Sequence, residues 1–135
     1  MNLYTYFYCK AFDWYNTNGK KDNDVLRVSS IVLLSVFMAL NISSVVLVIS
    51  LVQRRTPVNK WGGLAMIVAL YIFNFLRISS SRSEILRTEY TQLAPEVNRR
   101  WSVILISYVI VSVLLVLFLG GMIIYVKKQY GNYDL

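Results

Sequence analysis

Cys9 is the single thiol in a chain of 135 residues, and no histidine stands anywhere to activate it. Ser-His-Asp and Cys-His nucleophilic chemistry therefore lack their general base. One cysteine cannot close an internal disulfide or a thiolate metal cage, and histidine-based metal sites are excluded outright. No Gly-rich phosphate loop of the Walker or dinucleotide type occurs. All seven acidic residues fall outside the long apolar runs, which leaves no intramembrane carboxylate relay of the kind pumps use. Arg82, Glu84, Arg87 and Glu89 make a charge run with the spacing of a solvated helix face. These residues argue against an enzyme or a secondary transporter. No cofactor, metal or small-molecule substrate is expected, and Cys9 is read as a bystander near a membrane interface.

The elements that carry these residues are set by three apolar runs, 31–52, 61–76 and 101–126, none of which contains Asp, Glu, Lys or Arg. At about 1.5 Å per helical residue, the first and third can cross a hydrocarbon layer of about 30 Å. The middle run reaches that length only when Arg77 and Ile78 extend it. The expectation is an all-α membrane protein with transmembrane helices at 31–52, 61–78 and 95–126, the last opening at Pro95, which suits a first helical turn. The pieces between the runs are too short to bury cores of their own, so 1–135 reads as a single membrane domain. The first run begins only at Ile31, far from the position of a cleavable signal, and is expected to be retained. A net charge of +7 fits basic flanks of membrane helices. Nothing suggests a folded nucleic-acid surface.

Two segments outside the runs have helical periodicity. In 1–15, Leu3, Tyr4, Phe7, Tyr8, Ala11, Trp14 and Tyr15 fall on one side of a helix, with Thr5, Cys9, Lys10 and Asp13 opposite; Tyr6 and Phe12 break the pattern. This predicts an amphipathic helix lying in the headgroup layer. A polar linker follows over 16–24. In the second loop, Ser81-x-x-Glu84 has capping-box spacing, and Leu86, Tyr90 and Leu93 recur at i, i+4 and i+7, predicting a short amphipathic helix at 81–93. The aromatic face of Tyr4, Phe7, Tyr8 and Trp14 and the face of Leu86, Tyr90 and Leu93 are the candidate partner-binding surfaces.

Inside the runs, Ser35, Ser43, Ser44 and Ser50 can bond back to their own helix, whereas Asn41 should seek a partner helix. Gly62, Ala65 and Ala69 line one helical side, a smooth strip that permits close helix approach. Asn41, Gly62, Ala65 and Ala69 are the candidate helix-packing residues. Gly120-Gly121 is a kink or contact candidate, with ordinary packing the simpler reading. Pro57 is expected to turn the first loop, 53–60. Lys and Arg number nine in the N-terminal segment plus second loop, against five in the first loop plus C-terminal segment. The positive-inside rule therefore favours a cytoplasmic N-terminus.

The aromatic start LYTYFYCKAFDWY, the FMALNI centre of the first run, YIFNFLR closing the second, RSEILRTEY in the loop and ISYVIVSVLLV in the last run together resemble a family of small three-span bacterial membrane proteins with no established activity. The resemblance implies a bacterial cytoplasmic (inner) membrane. It suggests accessory roles in conflict systems such as toxin, immunity or phage defence, and it transfers no site residue. Two functions are expected on these grounds. The first is a membrane binding module, such as an immunity protein or accessory subunit, partnered by the bilayer and by another protein or a second copy. The alternative is a self-associating pore-forming or membrane-perturbing effector.

Overall fold

The computed structural model of the chain describes residues 1–17, 19, 22–53 and 60–130. It holds five helices: α1 (Leu3–Thr17), α2 (Asn23–Gln53), α3 (Lys60–Arg77), α4 (Ser80–Thr91) and α5 (Pro95–Tyr130). The described residues contain no strand. α2 and α5 are long and apolar enough to cross a membrane, and a third span follows if α3 and α4, bent by 78° at their junction, count as one. The protein is thus an all-helical membrane protein with two to three candidate spans. The expected turn at Pro57 lies outside the described residues, as do residues 18, 20 and 21 of the expected linker and the tail 131–135.

Local signals explain the helix ends. α1 opens on a reciprocal cap: the Thr5 amide donates to Asn2 Oδ1 at 2.9 Å, and the Asn2 amide donates to Thr5 Oγ1 at 3.1 Å. α2 starts at Asn23, eight residues ahead of the apolar run, with Asp24 in its first turn where the helix dipole favours a carboxylate. α3 gives way to α4 at Ile78 and Ser79. Ser79 is extended (φ −64°, ψ 164°), and its hydroxyl accepts from the Arg82 amide at 3.3 Å. The helix expected at 81–93 is present as α4, and the correction concerns its cap. The cap is Ser79, two residues before Ser81, so Arg82 occupies the position where a capping box needs Glu, and Glu84 plays no part in it.

α2 is the central post. α1, α3 and α5 pack along it and α4 touches it, whereas no Cα of α3 comes within 8 Å of α5. α3 runs antiparallel to α2, with Asn74 beside Ser35 and Ile78 beside Arg27. α5 runs parallel, with Tyr108 against Phe37 and Ser112 against Asn41. α5 presents one narrow seam inward: Asn98, Ser102, Leu105, Val109, Ser112, Val116, Leu119 and Ile123 are buried or half-buried. Their alternating spacing of four and three is that of a coiled-coil seam. Val103, Ile106, Leu114 and Leu117 on its other sides are exposed.

The tightest packing sits at one end of α2, where α1, α4 and the start of α5 converge. Tyr6, Tyr8, Leu26, Ile31 and Ile78 are 0–1% exposed there. This corrects the one-sided α1. Thr5 and Cys9, assigned to its polar side, are buried together with Tyr6 and Phe12. A helix buried on all sides shows no clean amphipathic face, and the two residues that broke the pattern are the sign of it.

Candidate functional site

Tyr4, Tyr6 and Tyr8 organise this end. At 100° per residue, Tyr4 and Tyr8 point about 40° apart, and Tyr6 points about 160° from both. The three hydroxyls therefore reach three different elements. Tyr4 donates to Asn74 Oδ1 of α3 at 2.8 Å. Tyr6 lies 2.6 Å from Asn98 Oδ1 and 2.7 Å from Ser102 Oγ of α5, so its single proton goes to the amide oxygen while Ser102 donates to it. Tyr8 shares a 2.6 Å hydrogen bond with Ser83 of α4. Cys9 adds a 3.4 Å contact from Sγ to the Leu86 carbonyl. A buried tyrosine needs such partners, since an unmet hydroxyl in an apolar site is costly.

Asn74 is the junction of this network. It is fully buried, takes the Tyr4 proton, and donates through Nδ2 to Ser35 Oγ of α2 at 2.9 Å. Ser35 in turn donates to the Ile31 carbonyl at 2.7 Å. One amide thus joins α1, α3 and α2. Around the network, arginines cap aromatic faces: Arg87 lies 4.1 Å from the Phe12 ring centre and Arg77 5.1 Å from that of Tyr4. Arg27 sits 4.7 Å from the Phe75 ring centre and donates to the Ile78 carbonyl at 2.9 Å, a cation at the C-terminal end of α3. Its Nε is buried with no hydrogen-bond partner among the described residues.

Burial favours the neutral form of the titratable groups here. It raises Tyr4 and Tyr8, opposed at Tyr4 by Arg77 and at Tyr8 by the Ser83 hydrogen bond. It pushes Tyr90 up to about 12, helped by Tyr6. It pushes the Cys9 thiol up to about 12 as well, against the pull of Arg87. A thiol and phenols held neutral are suited to anchoring, and a protonated thiol is a poor nucleophile.

The structure distributes the expected site residues unevenly. Phe7 (9% exposed) and Tyr8 (0%) lie inside the bundle, which corrects the exposed aromatic face; of its four members only Trp14, at 58%, is open. Phe7 stacks on Phe37 of α2 at 5.0 Å between ring centres. The second-loop face is also turned inward. Leu86 is buried, Leu93 packs against the core, and the Tyr90 ring is 5.6 Å from Tyr6. What α4 presents outward is Ile85, 59% exposed, between Glu84 and Thr88.

Among the packing candidates, Asn41 accepts from Ser112 Oγ of α5 at 3.0 Å and donates to the Phe37 carbonyl of its own helix at 2.9 Å. The strip on α3 behaves differently. Ala65 lies about 180° and Ala69 about 140° around the helix from buried Asn74, and both are exposed. These two alanines face away from α2 and make no close approach to it, whereas Gly62 is half-buried. A Cβ added at Gly63, Gly120 or Gly121 would meet nothing within 4 Å, so no close contact forms at these glycines either.

Asn74, Ser83, Asn98 and Ser102 were not marked by sequence reasoning. The available signal was Asn74 itself, an amide inside the apolar YIFNFLR segment that cannot remain unbonded. The chain matches no protein-family model, no curated protein and no solved structure.

Proposed function

We propose that the protein is a non-enzymatic, three-span binding module of a bacterial cytoplasmic membrane, acting as an immunity protein or accessory subunit. Its N-terminus and second loop face the cytoplasm, and α4 presents its outer side to a protein partner. The observation that carries this reading is the exposure of Ile85 on a short polar helix whose inner side is pinned. Ser83 and Leu86 hold α4 against α1, so Ile85 stands on a fixed platform. A surface depression of about 480 Å³ surrounds it, lined by Ser81, Glu84, Thr88 and Glu89. An exposed aliphatic group ringed by charged and polar side chains is the pattern of an interface anchor with a polar rim.

A photo-crosslinking residue at Ile85 should give one discrete protein adduct in cells, absent when the same residue replaces lipid-facing Ile106. Ile85→Asp should abolish partner-dependent protection with insertion unchanged. Adducts of equal yield from both positions would refute the platform. Orientation is tested on a Cys9→Ser background: Ser80→Cys should be closed to an impermeant thiol reagent applied from outside, and labelling there would reverse the assignment.

The open strip of Ala65 and Ala69 supports a second reading, self-association into a pore. Ion flux from purified protein in liposomes, lost in Ala69→Leu and unaffected by Ile85→Asp, would favour the pore and remove the binding module.

A further inference from the structure

The side of α1 that faces α2 and α5 leaves a groove of about 440 Å³. Its floor is Phe7, Ala11, Leu33 and Leu105, and its mouth is Lys10 and Trp14. Exposure rises along it: Phe7, Ala11 and Leu105 are 6–9% exposed, whereas Trp14 is 58% exposed. The polar end is therefore the open end. Leu33 and Leu105 of the floor belong to α2 and α5, the two helices long and apolar enough to cross a membrane, and their chain neighbours Val32, Ile104 and Ile106 are exposed. A groove with such borders opens onto hydrocarbon.

The charge at its mouth narrows the occupant further. Lys10 is half-buried and, among the described residues, no carboxylate pairs with it; Asp13, one turn on, is exposed. Lysine stems bury along apolar surface and place the ammonium at the headgroup level. Trp favours the same level. Basic recesses between membrane helices are the usual docking places of anionic lipid headgroups.

We propose that this groove binds one anionic diacyl phospholipid, with an acyl chain along Ala11, Leu33 and Leu105 and the headgroup phosphate on Lys10. The site is independent of the α4 platform. It makes a lipid a component of the wall between α1 and the spans.

The test uses the full chain in detergent with equal amounts of phosphatidylglycerol and phosphatidylcholine of the same acyl composition, read by native mass spectrometry. Wild type should retain one phosphatidylglycerol per chain in about fivefold preference, the factor expected of one cation near a headgroup. Lys10→Gln should bring the two lipids to parity, and Lys127→Gln at the opposite end should leave the preference intact. Ala11→Phe, which fills the floor, should lose both lipids. Lys10→Gln needs no repacking, so it tests the idea even if Ala11→Phe misfolds. Inorganic phosphate at millimolar concentration should leave the lipid bound. A preference unchanged in Lys10→Gln, lost equally in Lys127→Gln, or absent from wild type would overturn the proposal. So would displacement by phosphate alone.

Discussion

At one end of α2 four other helical segments converge, and at the opposite end, among the described residues, α3 and α5 accompany it with no Cα of one within 8 Å of the other. The first end is joined by side-chain hydrogen bonds between elements: Tyr4 to Asn74, Tyr6 to Asn98 and Ser102, Tyr8 to Ser83, and Asn74 to Ser35. Further along, Ser112 donates to Asn41, and beyond that bond the seam continues through Leu119 and Ile123. The difference follows from what surrounds each end. Lipid tails are as apolar as leucine, so burying aliphatic groups against each other inside a bilayer gains little. Polar bonds specify which helices meet, and here they are placed where α1 enters.

The contrast is sharpest in the aromatic residues. Tyr6→Ala, at a fully buried site with two hydroxyl partners, should lower stability by about 3–5 kcal/mol. Tyr125→Ala, 62% exposed at the other end, should change it by less than about 0.5 kcal/mol. Denaturation in mixed detergent micelles measures both, and equal losses would erase the distinction between the ends.

Cys9 reports the same seal chemically. With its thiol raised from 9.0 to about 12, the thiolate population at pH about 8 should be about a thousandfold below that of an ordinary thiol. Maleimide labelling of Cys9 should therefore lag that of Ser80→Cys, an exposed site, by about that factor until detergent unfolds the protein. The folded state holds this proton more tightly, so the contribution to stability is complete below about pH 9 and is lost as pH climbs toward 12. Fast labelling of the native protein would mean that α1 leaves its seat readily.

Smaller effects separate the two buried amides. Asn74→Leu strands the Tyr4 hydroxyl and removes a link between three helices, which should cost about 1–3 kcal/mol. Asn41→Leu should cost nearer 0.6 kcal/mol, since half of its bonding is to its own helix and Ser112 can turn to its backbone. The order of these two variants in one unfolding series tests the comparison directly. Gly121→Ala should be the mildest, neutral or stabilising by about 0.5–1 kcal/mol, since its Cβ meets nothing within 4 Å and alanine favours the helix.

The first and last apolar runs made α2 and α5 legible as candidate spans, because uncharged stretches of that length have few alternatives. Pro95 marked the start of α5 for the same local reason. α1 was harder. Its fate depends on Asn74, Ser83, Asn98 and Ser102, whose partners lie 70 to 96 residues earlier in the chain, and no local periodicity encodes such pairings. The inward turn of Leu86, Tyr90 and Leu93 was hidden likewise. An apolar stripe on a short helix looks identical whether a partner protein or the chain's own α1 covers it. The α5 seam is marked within an otherwise uniform run only by Asn98, Ser102 and Ser112.

The distances along the chain also set an order of events. α1 is synthesised before every group that anchors it: Asn74, Ser83, and then Asn98 with Ser102. At roughly 5–20 residues per second, several seconds separate Tyr6 from Asn98 and Ser102. Throughout that interval the Tyr6 phenol lacks its partners on α5 and has water, headgroups or a chaperone to bond with. This order predicts that α1 closes the molecule instead of nucleating it. Thiol reactivity of Cys9 on ribosome-bound chains stalled before Pro95, compared with chains stalled well beyond Ser112, would record the moment of closure.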